Sequence, residues 1–173
     1  IRACELFRSC FVADPGNLIY AEAWLAAVLK LASTPTRPPR LVRWLVARTI
    51  RKAQARGDWT RVIEQASTHL ANDVGNIDLL MALADACDKC EHQSTNLRVL
   101  RHAADVAGKN EGILRRLADA FGRSGDFSEA RHYWREVLAL YPDDQQACLL
   151  YPSDASSDRQ TLQLPARHVY HQQ

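Results

Sequence analysis

A glycine-aspartate-aromatic triplet occurs twice in this chain, as Gly57-Asp58-Trp59 and as Gly125-Asp126-Phe127. The separation of the two triplets equals two periods of about 34 residues each, which is the length of a helix–turn–helix repeat. Apolar or small residues between them recur with the same period: Leu80, Leu83, Ala84, Cys87, Leu100 and Ala103 match Leu114, Leu117, Ala118, Phe121, Trp134 and Val137. A fixed period of this kind predicts an array of stacked units, none of which buries its apolar side alone.

Within the period, the spacing of apolar residues is helical. One predicted helical face has the i, i+3, i+4, i+7 pattern and consists of Val42, Leu45, Val46, Thr49, Ile50 and Ala53. Further helices are predicted at 77–90, 93–107, 111–124 and 127–141, because turn-forming Gly, Asn, Asp or Pro residues border each of them. No segment alternates with a period of two, so the predicted class is all-α.

Residues 111–144 resemble the tetratricopeptide repeat family. The residues that carry this resemblance stand at the family's signature positions: Leu114, Leu117, Ala118, Phe121, Gly125-Asp126-Phe127, Ala130, Trp134 and Pro142. The resemblance implies a right-handed superhelical solenoid of antiparallel helix pairs, with units at 43–76, 77–110 and 111–144. Other signature positions depart from the family pattern: Glu91 and His92 replace the turn Gly-Asp, Gly108 replaces a Pro, and Thr49, Ile50 and Val74 are atypical.

The ends of the chain differ from the array. Residues 1–32 are predicted to be a partial repeat and the helix that follows it, so that the chain would begin in the middle of a repeat. The signature residues of that partial repeat would be Ala3, Phe7, Cys10 and Pro15. Three prolines interrupt the array in the predicted linker 33–40, and the array itself is predicted at 41–145. Residues 146–173 are predicted to be a disordered and functionless tail, because CLLYPSDA resembles the translated read-through of a sequencing adapter.

The net charge of +2 conceals an uneven distribution. Residues 30–61 carry a net charge of +8, whereas residues 62–147 carry −5. The basic helix block 37–61 therefore supports an alternative function, binding of an anionic partner such as RNA or a membrane surface. Nucleic acid is disfavoured because the neighbouring acidic region would repel phosphate. The most apolar run, 18–32, is too short to span a bilayer and contains two charged residues.

Catalytic and cofactor motifs are absent from the sequence. There is no nucleophile elbow, P-loop, dinucleotide fingerprint or HExxH zinc motif, so neither an enzyme activity nor a cofactor is predicted. Cys87 and Cys90 form a CxxC pair without further ligands, and Cys87 occupies a position that packs in the core of the repeat. We therefore predict no metal site. The irregular cysteine spacing favours a reducing compartment such as the cytoplasm.

The resemblance also implies which residues line the concave groove, since the first helix of each unit faces it. These candidate partner-binding residues are Trp44, Arg51, Gln54, Asp78, Met81, Asp85, Asp88, Lys89, Arg115, Asp119 and Arg123. A clamp for a carboxyl-terminal peptide is not expected, because the Asn residues of such clamps are missing. For Trp44, packing beneath the linker or the preceding helix remains open as an alternative.

The predicted function is that of a non-catalytic scaffold or adaptor that binds a protein or peptide segment in this groove. Fold alone does not name the partner. Self-association through flanking repeats, or a role as the targeting part of a larger enzyme, is a further alternative.

Overall fold

The computed structural model describes residues 2–31 and 38–150. Over these ranges the chain is helical apart from short turns, which confirms the predicted all-α class. The helices are α1 (Arg2–Ala13), α2 (Leu18–Leu31), α3 (Arg40–Ala55), α4 (Trp59–Leu70), α5 (Ile77–Lys89), α6 (Gln93–Ala107), α7 (Glu111–Ser124), α8 (Phe127–Leu140) and α9 (Gln145–Leu150). None of these described helices is both long and apolar enough to cross a bilayer. The predicted linker lies outside the described residues except for 38–40.

Three antiparallel helix pairs, α3–α4, α5–α6 and α7–α8, repeat along the chain and pack in sequence order. Here α3, α5 and α7 are called the A layer, and α4, α6 and α8 the B layer. The predicted bounds of α5 to α8 are confirmed to within one residue. The arrangement is that of a helical-repeat solenoid, in which each pair buries its apolar side against its neighbours.

Side-chain caps begin α4, α5, α7 and α8 at equivalent positions of their units, whereas α3 and α6 begin without one. At the first helix of a unit, the Asn76 and Asn110 side chains accept hydrogen bonds from the backbone N–H groups of Leu79 and Ile113, both at 3.3 Å. At the second helix, Asp58 and Asp126 do the same for Arg61 and Glu129, both at 3.2 Å. Each cap satisfies an N–H group that lacks a partner within its helix, so the polar residues fix where each helix begins.

The turn between the two helices of a unit requires a left-handed residue. Gly57 and Gly125 adopt φ values of 71° and 84°, and Glu91 adopts 63° at the equivalent position of the middle unit. The next residue donates a backbone hydrogen bond across each turn: Asp58 to Ala53, His92 to Cys87 and Asp126 to Phe121, at 2.8–3.0 Å. The middle unit therefore forms the family's turn without the glycine that favours it.

The periodic apolar residues form the core. The twelve matched residues of the second and third units are at most 3% exposed, which confirms the predicted packing positions. Cys87 is one of them and is fully buried, so its predicted role in the core is also confirmed.

The amino-terminal hairpin α1–α2 packs across the B layer, with α1 against α4 and α2 against α6. Phe11 and Trp24 stack at 4.9 Å between ring centroids, and both are fully buried. The predicted register of α1 is wrong, because Ala3, Phe7 and Cys10 are exposed whereas Cys4 and Phe11 are buried. The buried pair is two helical turns apart and forms the stripe that faces α2 and α4.

The position of this hairpin alters the first unit. Val46, Ile50 and Ala53 of α3 are buried as predicted, but Val42 and Leu45 are 42% and 46% exposed, and Thr49 is exposed as well. The prediction of one fully buried face is therefore wrong for half of its members. The physical reason is that α1 and α2 pack against the B layer, which leaves this side of α3 open.

At the other end, the repeat continues beyond the predicted array. The Asp144 carboxylate accepts a hydrogen bond from the backbone N–H of Ala147 at 2.7 Å, and α9 begins at Gln145. Asp144 lies one full period after the cap Asn110, so α9 occupies the place of the next first helix and packs against α8. Ala147 is fully buried, so the predicted disorder is wrong for 146–150. The rest of the predicted tail, 151–173, lies outside the described residues.

Candidate functional site

The predicted groove residues all lie on the A layer, and none of them is buried. Trp44, Arg51 and Gln54 lie on α3, residues 78–89 of the set lie on α5, and the remaining three lie on α7. Family spacing therefore selects one solvent-accessible surface of three neighbouring helices, called the A-layer face below. Two depressions on this face bring some of the predicted residues together.

The larger depression, of about 330 Å³, lies between α5 and α7. It is lined by five of the predicted residues: Asp85, Asp88, Lys89, Asp119 and Arg123. Arg116, which family spacing did not select, also lines it. The depression is polar and contains charges of both signs.

Ion pairs within the chain already neutralise much of this polar depression. The Arg116 guanidinium lies 2.5 Å from the Asp85 carboxylate, and the Arg123 guanidinium lies 2.7 Å from the Asp88 carboxylate. The Asn96 amide also donates to Asp88, at 3.3 Å. A bound partner would have to compete with these contacts for the same oxygen atoms, which weakens any added charge interaction.

The second depression, of about 260 Å³, lies where α3 meets the α4–α5 turn. Trp44 and Asp78 are the predicted residues that line it. Its other lining residues come from α3 and the residues just before it, from the end of α4, from the α4–α5 turn and from the start of α5: Pro38, Val42, Arg43, Val46, Ala47, His69, Asn72, Asp73, Asn76 and Leu79. We call it the Trp44 pocket. The indole of Trp44 is 52% exposed, so it does not pack beneath a preceding helix in the described structure.

Several polar groups in the Trp44 pocket already interact with neighbouring polar or charged groups. Arg43 Nε lies 3.2 Å from an Asp73 carboxylate oxygen, and the Asn76 amide donates to the same oxygen at 2.8 Å. The N–H of Arg43 Nε has no well-aligned hydrogen bond, so this contact is a charge interaction. Burial lowers the pKa of His69, so this imidazole is neutral at neutral pH.

Four predicted residues line neither depression. The Arg115 guanidinium pairs with Asp144 and thereby joins α7 to the start of α9. Met81 packs partly against the core. Arg51 and Gln54 lie farther along α3, where Arg51 is exposed and Gln54 is half-buried.

Sequence reasoning missed the residues of the α4–α5 turn, His69, Asn72 and Asp73. Family spacing considers the first helix of each unit only, so the turns between units are left out. The polar cluster at 69–76, between two apolar helices, was the signal available in the sequence.

The two cysteines of the CxxC pair differ in burial, since Cys87 is fully buried and Cys90 is half-buried. Burial raises the pKa of the Cys87 thiol to about 12 and also raises that of Cys90, so both remain protonated at neutral pH. Metal ligation and nucleophilic chemistry need the thiolate. Within residues 2–31 and 38–150, no group of three or more His, Cys, Asp or Glu residues is arranged to hold a metal ion.

One helix pair of the chain matches the model of a known repeat family. Residues 112–144 match the family model described as tetratricopeptide repeat. No curated protein matches the chain. The matched segment is the pair α7–α8, and α5–α6 has the same period, an equivalent Asn cap on its first helix and the same buried positions. Residues 112–144 are therefore a tetratricopeptide repeat, and the helical array around it repeats the same unit.

Proposed function

We propose that this chain is a non-catalytic scaffold that binds a peptide or an extended protein segment on its A-layer face. A tetratricopeptide repeat is typically a protein-interaction module without catalytic activity. The observation that supports this face most directly is the placement of the α1–α2 hairpin. The hairpin packs on α4 and α6 of the B layer, whereas the A layer carries both open depressions and the exposed Trp44.

The chemistry of the A-layer face suits a peptide. The backbone polar groups of a peptide match the polar α5–α7 depression. Its apolar side chains match the Trp44 pocket, which is the more apolar of the two depressions. Aromatic residues at the centre of an interface contribute much of the binding energy, because they bury a large area at low entropic cost. Trp44 is the aromatic side chain placed to do so.

A selection from a phage-displayed library of random short peptides tests this proposal. Peptides enriched on the chain are then measured by fluorescence anisotropy against Trp44→Ala and against Phe127→Ala. Phe127 lies on α8 of the B layer and is 62% exposed, so its truncation is a matched control. We expect Trp44→Ala to weaken binding about tenfold or more and Phe127→Ala to leave it unchanged.

Two results would contradict the proposal. One is that no peptide is enriched on a folded preparation of the chain. The other is that the enriched peptides depend on Phe127 and not on Trp44, which would place the binding surface on the B layer.

A specific observation also favours a second candidate, the binding of an anionic macromolecule. The exposed basic side chains of α3, its C-terminal cap and α4 form no ion pair among the described residues: Arg40, Arg48, Arg51, Lys52, Arg56 and Arg61. Such a surface attracts phosphate-rich RNA or an anionic membrane. Binding of this kind would weaken steeply with added salt, so titration at two ionic strengths distinguishes it from peptide binding in the apolar pocket.

A further inference from the structure

The Trp44 pocket has an apolar wall, and Arg48 and Arg51 follow its lining residues Trp44 and Ala47 by one turn of α3. Trp44, Val46 and Leu79 are among its apolar lining residues. The Arg48 guanidinium lies 5.6 Å from the centroid of the Trp44 ring. The Arg51 guanidinium donates from Nε to the carbonyl oxygen of Ala47, another lining residue, at 3.3 Å. Both arginines therefore contact residues of the pocket lining, and neither of them lines the pocket itself.

These two cations have no carboxylate partner in the described part of the chain. Arg48 contacts an aromatic ring, and Arg51 contacts a carbonyl of its own helix. In the α5–α7 depression, by contrast, Arg116 and Arg123 are paired with aspartates. An acidic partner therefore gains more from the α3 edge of the A-layer face than from the rest of it.

The lining of the Trp44 pocket carries one unbalanced negative charge, which opposes an anionic occupant at one point. Arg43 and Asp73 offset each other, and His69 is neutral because burial lowers its pKa. Asp78 is the remaining carboxylate of the lining, and it is exposed at the start of α5. With Arg48 and Arg51 included, the pocket and its edge carry an excess of positive charge.

We infer that the Trp44 pocket binds an acidic peptide segment through one large apolar side chain. The apolar side chain packs against Trp44, Val46 and Leu79, and acidic residues that flank it pair with Arg48 and Arg51. This inference rests on the proposed peptide-binding function and specifies the peptide's chemistry and place. Apolar burial supplies the affinity, and the guanidinium groups select for flanking acidic residues.

The enriched peptides provide the test, because their composition is not imposed in advance. We expect them to carry a Leu, Phe or Trp next to Asp or Glu. Arg51→Glu should weaken their binding about tenfold, whereas Arg131→Glu should not, since Arg131 is an exposed arginine on α8 of the B layer. Asp78→Asn should strengthen binding, because it removes the carboxylate that repels an acidic peptide. Circular dichroism confirms that each variant is folded.

The other outcomes distinguish a failure of this inference from a failure of the proposed function. Enriched peptides that are basic or neutral, or that bind Arg51→Glu as well as the parent chain, would overturn this inference and leave the proposed function intact. If no peptide is enriched, the proposed function fails and this inference fails with it. Single-stranded oligouridine and vesicles containing phosphatidylserine serve as the anionic probes. If they bind through Arg51 and the acidic peptides do not displace them, the surface is not a peptide site.

Discussion

Glu91 holds the left-handed turn conformation that Gly125 adopts at the equivalent position of the next unit, with φ values of 63° and 84°. For a residue with a Cβ atom this conformation costs about 1–2 kcal/mol, whereas glycine adopts it freely. We predict that Glu91→Gly raises the free energy of unfolding by about 0.5–1 kcal/mol, after the greater entropy of glycine in the unfolded chain is subtracted. Urea denaturation followed by circular dichroism measures the change.

Gly125→Ala is the matched control for the Glu91 turn. No atom lies within 4 Å of a Cβ placed at Gly125, so any loss of stability comes from the backbone conformation alone. We expect a loss of about 1 kcal/mol. The contradicting result is a loss of stability in both variants. If Gly125→Ala destabilises the protein and Glu91→Gly does so too, the left-handed conformation of Glu91 does not cost free energy.

The hydrogen bond from Thr95 to the hairpin should stabilise the docking of α1–α2. The buried Thr95 hydroxyl donates to the carbonyl oxygen of Pro15 at 2.8 Å. Thr95→Val keeps the shape of the side chain but leaves the carbonyl without this donor, at a cost of about 1–2 kcal/mol. Hydrogen exchange should show faster exchange in α1 and α2 and little change in α7. Thr95→Ser keeps the hydroxyl and should restore protection; equal exchange in the two variants would show that the bond is unimportant.

Stability should fall as the pH drops through the titration of two histidines, of which His102 is buried and His69 is half-buried. Burial lowers the pKa of both His102 and His69 below the ordinary value of 6.5. The unfolded chain therefore binds more protons than the folded chain near pH 6, and the free energy of unfolding rises with pH. The stabilisation is fully present above the unfolded pKa and is lost as the pH falls below it. We predict a smaller slope between about pH 7 and pH 5.5 for His69→Gln combined with His102→Gln, measured by denaturant titration. An unchanged slope would mean that other groups cause the dependence.

Asp144 should control the order of α9 through two separate contacts. Its carboxylate caps the helix at Ala147 and pairs with Arg115 of α7. Asp144→Ala removes both contacts and should cost about 1–2 kcal/mol, with loss of amide protection at 147–150. Asp144→Asn retains the capping oxygen and removes the charge, so it should preserve much of that protection. Equal loss of protection in both variants would assign the order of α9 to the ion pair and not to the cap, and full protection in both would show that neither contact controls it.

The sequence predicts the repeated part of this molecule well because its signals are local. The caps Asn76 and Asn110, the turn residue Gly125 and the apolar stripes of α5 to α8 each act within one helix or one turn. Asp144 stands one period after Asn110 and is the same kind of cap, whereas the adapter-like sequence that follows predicts a disordered tail at 146–173. The periodic cap was the better guide there, since it depends on an N–H group that must be satisfied.

The placement of α1 and α2 could not be predicted in the same way. Helical periodicity shows that Trp24 belongs to a helix with an apolar side, but it does not show which helix that side contacts. In the fold the hairpin packs on α4 and α6, and this choice determines that Val42 and Leu45 are exposed. For the candidate site, family spacing found Trp44 and Asp78, but the ion pairs of Asp85 and Asp88 depend on distances between helices.

The hairpin also has a consequence for how the molecule folds. In a simple repeat array each unit contacts only its neighbours, so the units can unfold one after another from an end. Here α1 contacts α4 of the first unit and α2 contacts α6 of the second unit. The hairpin therefore packs on two consecutive units, and these contacts join residues that are far apart in sequence. Contacts between residues so distant in sequence slow folding, since a large loop must close before they form. In return, the first two units should gain and lose their structure as one cooperative block, with α7–α8 added at its end.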